Sequence, residues 1–137
     1  MSWSNRQESL TLEANADLSS HQYKIVEMLS TGNADISDLR AGFGVLQNIP
    51  ESGEAATVCI AGETRVKAGG TIAIGDSIHC VASGGWAGAV TSGTLTPVNV
   101  LGVAVEGIAS GGIFTMHMRP FTIPTITSGS IVTEPNA

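Results

Sequence analysis

The sequence predicts an all-β fold: a small β-barrel or sandwich with an extended arm at each end and little or no helix. Apolar runs of about five to eight residues recur along the chain, separated by turn-forming residues every eight to twelve positions, a pattern typical of small barrels and sandwiches. Glycine supplies many of these turns, with 17 occurrences in 137 residues. No segment carries an apolar stripe of helical period over three or more turns.

The length and composition fit one folded domain. A chain of 137 residues has the usual size of a single domain and can bury a core of its own. Apolar residues make up 42% of the chain and charged residues 13%, about half of the ~25% charged share of an average soluble domain. This composition argues against disorder. So little charge also leaves much of the surface neutral, as in proteins that a partner covers.

Three regions follow from the distribution of polar residues and prolines. Residues 1–20 are polar with isolated apolar anchors and are predicted to form an N-terminal arm; the anchors are Trp3, Leu10, Leu12 and Leu18. Residues 21–119 are predicted to form the β-barrel domain. Residues 120–137 carry three of the five prolines together with many Thr and Ser, and proline cannot donate to a sheet ladder. We therefore predict a C-terminal arm there, or an edge strand that pairs only in an assembly, and no central strand.

The barrel domain begins with two predicted strands around a short helical turn. YKIVEML, residues 23–29, is rich in β-branched and apolar side chains and predicts a strand. ADISDLRAG, residues 34–42, predicts one helical turn capped by Asp35. FGVLQNIP, residues 43–50, predicts a second strand, which Pro50 ends.

Seven further strands are predicted, each bounded by Gly, Ser, Asn or Pro. They are EAATVCIAG, ETRVKAGG, TIAIGD, SIHCVASGG, WAGAVTS, VNVLGVAVEG and GGIFTMHM. The Ala61-Gly62 pair is the predicted corner between the first two. In the last run the period of two places Phe114, Met116 and Met118 on one face of the strand.

The glycine-rich stretch VKAGGTIAIGDSIHCVASGGWAG, residues 66–88, is predicted to turn corners rather than to bind a phosphate. A phosphate-binding loop needs a lysine where GGTIAIGDS has Asp76, and a dinucleotide fingerprint needs a following helix that this stretch does not predict. Gly69, Gly70 and Gly75 are instead predicted to adopt positive φ at tight corners.

The charge and cysteine content exclude several kinds of partner and site. The formal net charge is −6 and the six Lys and Arg are scattered, so a nucleic-acid-binding surface is not predicted. Cys59 and Cys80 form no CxxC pair, and a disulfide between them requires their strands to be neighbours. The N-terminus lacks the cationic start and apolar core of a signal peptide, and no apolar run approaches ~20 residues. We expect a soluble protein made in a reducing cytoplasm.

No catalytic, cofactor-binding or metal-binding residues are predicted. His21, His79 and His117 stand far apart without metal-ligand spacing, and no GxSxG elbow occurs. The carboxylates of PESGE, residues 50–54, belong to a turn and have no apolar surroundings that would raise a pKa. A zinc site assembled from distant strands stays open at this point.

The candidate partner-binding residues are apolar side chains in segments without a local core. Trp3 lies in the polar arm, with Leu10 and Leu12 further along it. Trp86 lies among glycines in SGGWAGA at a predicted loop tip, and exposed aromatic residues of this kind often anchor interfaces. The alternative for Trp86 is that its ring packs back onto its own barrel.

The order of several motifs resembles the small capsid cement, or head-decoration, proteins of tailed bacteriophages. The motifs are L-x-A-x-A-D-L-S-x-H-Q from Leu12 to Gln22, GVLQNIPESGEAATVCIAGETRVKAGG over residues 44–70, then IGD and LGVAVEG. The resemblance covers roughly residues 10–118. It implies a non-enzymatic β-barrel on the outer surface of the virion's head, where it binds the major capsid protein, bridges adjacent capsomers and stabilises the shell. It also implies self-association, commonly as a trimer.

Three alternatives remain at this stage. A tail or fibre component built on a similar barrel would share the same motifs. A biotinyl-like carrier barrel would need a lysine on a hairpin tip, for which Lys67 in RVKAGG is the candidate. A small enzyme would need His and Asp residues brought together from distant strands.

Overall fold

The all-β prediction is confirmed. The computed structural model describes residues 7–37, 42–82, 84–90 and 98–123, and this part of the chain contains nine strands and no helix. The strands are β1 (Gln7–Glu13), β2 (Ile25–Met28), β3 (Ala34–Ile36), β4 (Gly44–Leu46), β5 (Ala55–Lys67), β6 (Ser77–Ala82), β7 (Trp86–Ala89), β8 (Val98–Ala104) and β9 (Ile113–Ile123).

The strands form one curled sheet whose two ends approach each other. Its order is β3-β2-β4-β5-β9-β8-β6-β7, with β1 paired to β5 beside this path, and all of these strand ladders are antiparallel. The Ile25 N–H donates to the Gly85 carbonyl at 2.8 Å, and the Gly69 N–H donates to the Ala87 carbonyl at 2.7 Å. The β6–β7 hairpin therefore returns to the start of β2 and the end of β5, which gives a half-barrel.

The predicted corner at Ala61-Gly62 is wrong, because β5 runs through both residues without ending. Gly62 has a φ of +92°, and glycine adopts this value without the clash that a Cβ would cause. The first half of β5 pairs with β1, and the half after Gly62 pairs with β9. The glycine therefore marks the point where the strand changes its partner.

The predicted helical turn at residues 34–42 is also wrong in the part that the structure describes. Ala34–Ile36 is strand β3, which pairs with Val26–Met28 of β2. A single helical turn gains too few hydrogen bonds to offset its nucleation cost, whereas the edge of β2 offers partners for three residues at once. Residues 38–41 lie outside the described part of the chain.

The predicted strand TIAIGD is a loop with one isolated bridge. Ile72 and Ile108 exchange backbone hydrogen bonds of 2.9 and 3.0 Å. The Asp76 carboxylate accepts from the Ala73 N–H at 2.9 Å, which closes a turn where the strand was expected. The other predicted strands correspond to β2 and to β4 through β9, with shifted ends.

Strand β9 continues through Pro120 to Ile123, beyond the predicted start of the C-terminal arm. Its pairing with β5 stops at Met118, and among the described strands the residues beyond pair with β8 alone. Pro120 lies opposite a register shift between Val100 and Gly102. The missing N–H is therefore tolerated, because that part of β9 has a partner on one side. Residues 124–137 of the predicted arm lie outside the described residues.

Two hydrophobic clusters pack on opposite faces of the strands they share. The barrel cluster consists of Ile25, Val45, Cys59, Val66, Ala68, Ile72, Ile78, Cys80, Ala87, Leu101, Ala104, Phe114, Met116 and Met118. The second cluster consists of Ala14, Leu18, Val26, Ala34, Leu46, Ala56 and Val58. Strands β2, β4 and β5 contribute to both, which explains their nearly continuous apolar runs. The prediction that Phe114, Met116 and Met118 share one face of β9 agrees with the structure, in which all three are buried.

Residues 7–18 belong to this packing rather than standing apart from it. Strand β1 pairs with β5 along its whole length. Ala14 and Leu18 are each 1% exposed in the second cluster, and the Leu18 N–H donates to the Pro50 carbonyl at 2.9 Å. Cys59 and Cys80 are both buried in the barrel cluster and form no disulfide with each other.

Candidate partner-binding surfaces

Trp86 opens strand β7 directly after the Gly84-Gly85 turn, and its side chain is half-buried. The Lys24 ammonium lies 4.3 Å from the centroid of its ring, within the distance of a cation–π contact. The ring therefore packs partly on its own barrel, as the alternative interpretation expected, and still reaches the surface.

Glycines place this ring by leaving room and by adopting a special conformation. Gly85 has a φ of +76°, and a Cβ there would lie 2.4 Å from the Ile25 carbonyl oxygen. A Cβ on Gly69 would lie 2.7 Å from the Trp86 Cβ. The prediction of positive φ is confirmed at Gly75 and wrong at Gly69 and Gly70. Gly69 is needed for space rather than for its backbone angle.

Lys24 lies over the Trp86 ring, and two further basic residues lie near Lys24, in a chain of net charge −6. The Lys24 Nζ lies 3.3 Å from the His21 Nδ1, and Lys67 joins the same region through its N–H, which donates to the Tyr23 carbonyl at 2.9 Å. Burial lowers the pKa of Lys24, and the charge of Lys67 lowers it further. Burial also lowers the pKa of His21, followed by the charges of Lys24 and Lys67. We call Trp86, Lys24, Lys67 and His21 the Trp86 surface.

A small cavity opens beside the indole of Trp86. Its volume is about 230 Å³, and it is lined by Ala68, Gly69, Val81, Trp86, Ser110 and Gly111. The lining is mostly apolar, with the Ser110 hydroxyl as a polar side chain. Pockets for drug-sized ligands measure roughly 300–1,000 Å³, so this cavity suits a single side chain or one small ring.

Strand β1 presents the second candidate surface, which consists of Glu8, Leu10 and Glu13. Leu10 is 38% exposed and both carboxylates are exposed. Leu12 is half-buried and packs against the second cluster, so its side chain is largely occupied by the chain's own core. Trp3 lies outside the described residues. The structure thus brings neither of the two leucines into contact with the Trp86 surface.

Sequence reasoning missed a third exposed apolar region in the loops that follow β5 and β8. Ile74 is 74% exposed and Val105 is 44% exposed. The Ile72–Ile108 bridge and the bond from the Gly75 N–H to the Ala104 carbonyl hold these loops together. We call Ile74 and Val105 the rim. The strand predicted for TIAIGD gives no sign of this region, because a strand would place Ile74 on the same face as the buried Ile72.

Potential metal ligands stay apart in the part of the chain that the structure describes. In this part of the chain no three His, Cys, Asp or Glu side chains come together in a way that would hold a metal ion. Burial raises the pKa of the Cys59 thiol, which disfavours the reactive thiolate. No helix in these ranges is long and apolar enough to cross a membrane.

The fold is similar to that of a known phage protein. No protein-family model matches the sequence, and no curated protein matches it either. A match is found with the crystal structure of the N base of the head fibre gp8.5 in bacteriophage phi29, with a TM-score of 0.57 and 21% sequence identity. It covers 83% of this chain and 95% of that chain. The two chains therefore share their all-β fold over most of their length.

Proposed function

We propose that this chain is a structural protein of a phage virion, located on the head. The observation that carries the proposal is the fold shared with the base of a phage head fibre over nearly all of that chain. The resemblance of residues 10–118 to head-decoration proteins supports it from motif order, which does not depend on the structural comparison. In this proposal the chain is not an enzyme and needs no cofactor.

In the finer form of the proposal, the chain binds the outer surface of the capsid, contacts the major capsid protein and bridges adjacent capsomers. A curled sheet with two packed clusters is a rigid body, so contacts made on either side of a seam resist its opening. A specific protein contact of standard size buries about 1,600 Å². Each copy bound to the shell would add a buried area of this order. Self-association as a trimer is part of this proposal.

We assign the capsid contact to the Trp86 surface and to Leu10. Interface energy concentrates in a few aromatic and basic residues, and the Trp86 surface combines an indole with two lysines. Leu12 is left out, because it packs on the second cluster. Trp3 stays a prediction from the sequence.

A second candidate function is the base that attaches a fibre to the head. The similarity to a head-fibre base favours it. No comparable observation favours a biotinyl-like carrier, since Lys67 lies within strand β5 opposite Ile113 rather than on a hairpin tip.

The test is to locate the protein on particles. Virions of the encoding phage should contain the chain by mass spectrometry, and particles from a gene-deletion strain should lose head density in cryo-electron microscopy. Recombinant chain added to the deleted particles should restore that density and their resistance to heat. Loss of a whole fibre from the gene-deleted particles would favour the second candidate function, the fibre base, over capsid bridging. Absence from virions, or density on the tail alone, would overturn the proposal.

A further inference from the structure

We propose that the Trp86 surface binds an acidic protein segment, in which an apolar side chain enters the cavity beside Trp86 and neighbouring carboxylates meet Lys24 and Lys67. The inference rests on the proposed function, in which this surface faces the capsid protein. It goes further by specifying the charge and the apolar side chain of the capsid segment that binds there.

The charge distribution is the first support. The chain has 12 Asp and Glu against six Lys and Arg, yet Lys24 lies over the Trp86 indole with His21 beside it, and the charge of Lys67 acts on both. In the described part of the chain neither Lys24 nor Lys67 pairs with a carboxylate. Asp17 and Asp35 oppose the effect of the lysines on His21, but neither lysine is paired with a carboxylate in the described ranges, so both lysine charges attract an anionic partner. The remainder of an acidic chain would repel the same partner.

The position of Lys24 is the second support. Its Nζ is held both 4.3 Å above the Trp86 ring and 3.3 Å from His21. A lysine fixed in this way loses less side-chain entropy when it binds a carboxylate than a freely rotating one does. The ammonium is therefore placed for binding before the partner arrives.

The lining of the cavity favours a peptide side chain over a sugar ring as its ligand. Its walls are the small residues Ala68, Gly69 and Gly111 together with Val81 and the indole, which leaves room for one side chain. A sugar ring presents several hydroxyls that need polar partners, and Ser110 offers one. An apolar side chain fills this space without leaving a buried polar group unsatisfied.

Two measurements test the inference, and the first uses recombinant chain and gene-deleted heads. Lys67→Gln should weaken binding about five- to tenfold, and Lys67→Glu should weaken it more. The matched control is Arg65→Gln, which removes the same charge from an exposed position on the same strand and should change the affinity less than twofold. The salt dependence of binding should decrease for the Lys67 variants only. Equal affinities of Lys67→Gln and Arg65→Gln would overturn the inference.

The second measurement needs no heads. The blocked peptide Glu-Asp-Phe-Asp-Glu should shift the indole N–H resonance of Trp86 in NMR spectra, and its amide counterpart Gln-Asn-Phe-Asn-Gln should not. A shift without head binding supports the inference and contradicts the proposed function. Head binding without a shift, and without sensitivity to Lys67, leaves the function standing and overturns the inference.

Discussion

The Trp86 surface and strand β1 both expose apolar side chains, but the fold supports them differently. Trp86 stands where the curled sheet meets its own beginning, so contacts from the start of β2 and the end of β5 hold it in place. Strand β1 rests on one ladder with β5 among the described strands, and six of its seven residues are exposed. The comparison teaches that an exposed side chain at a closure point is positioned by several elements, whereas one on an added strand depends on a single pairing.

The two regions also differ in charge. His21, Lys24 and Lys67 make the Trp86 surface basic, while Glu8 and Glu13 flank Leu10 on β1. Because unlike charges attract and like charges repel across an interface, the two surfaces select different partner chemistry. Four predictions test this contrast, in order of decreasing effect.

The largest effect is expected where the sheet closes. Gly85→Ala should lower the free energy of unfolding by about 3 kcal/mol, because it combines a positive φ with a clash against backbone. The control Gly84→Ala has a φ of +98°, but its nearest atoms lie 3.6 Å away, so it should cost about 1 kcal/mol. Urea denaturation measures both. Equal losses of unfolding free energy in the two variants would show that the close approach of Gly85 to Ile25 is not needed where the sheet closes.

The next effect concerns binding to heads. Trp86→Ala should weaken binding by about 2 kcal/mol, or roughly 30-fold, since an indole at the centre of an interface is a typical hot spot. Leu10→Ala should weaken it by less than about 1 kcal/mol, because less apolar area is removed. Titration of labelled chain onto gene-deleted heads gives both values. A larger loss for Leu10 would reverse the ranking of the two surfaces.

A smaller difference in the free energy of unfolding is expected between variants of the two leucines of β1. Leu12→Ala should lower the free energy of unfolding by about 1–2 kcal/mol, because Leu12 packs on the second cluster. Leu10→Ala should change it by less than about 0.5 kcal/mol at an exposed position. Denaturation curves of both variants provide the check. Similar values would mean that Leu12 contributes no more to the core than its exposed neighbour does.

The smallest effect is a pH dependence at the Trp86 surface. The pKa of His21 is lowered in the folded chain, by burial first and then by Lys24 and Lys67, although Asp17 and Asp35 oppose this. The unfolded chain therefore takes up the proton first, and stability is lost as the pH falls below about 6.5 toward the folded pKa. His21→Gln should flatten the stability curve between pH 7.5 and 5.5. An unchanged slope would exclude His21 as its source.

Much of the fold follows from local patterns that the sequence shows directly. The alternation of Phe114, Met116 and Met118 predicted that they share one face of β9, and YKIVEML contains β2. Secondary-structure predictions failed where the local sequence is compatible with two backbone conformations. Gly62 can end a strand or lie inside one. In this fold the strand continues, because β1 pairs with the part of β5 before Gly62 and β9 pairs with the part after it. Ala34–Ile36 likewise became a strand because the edge of β2 was available.

The sequence by itself determined the all-β class, the glycine turns and the isolated apolar residues that point to a partner. Only the tertiary structure decided that Lys24 lies between Trp86 and His21 and that Leu12 packs on the core. The reason is physical: alternation and turn chemistry act between near neighbours and are visible in any short segment. Sheet closure, burial and charge clustering act between residues distant in the sequence and exist only once the chain has folded.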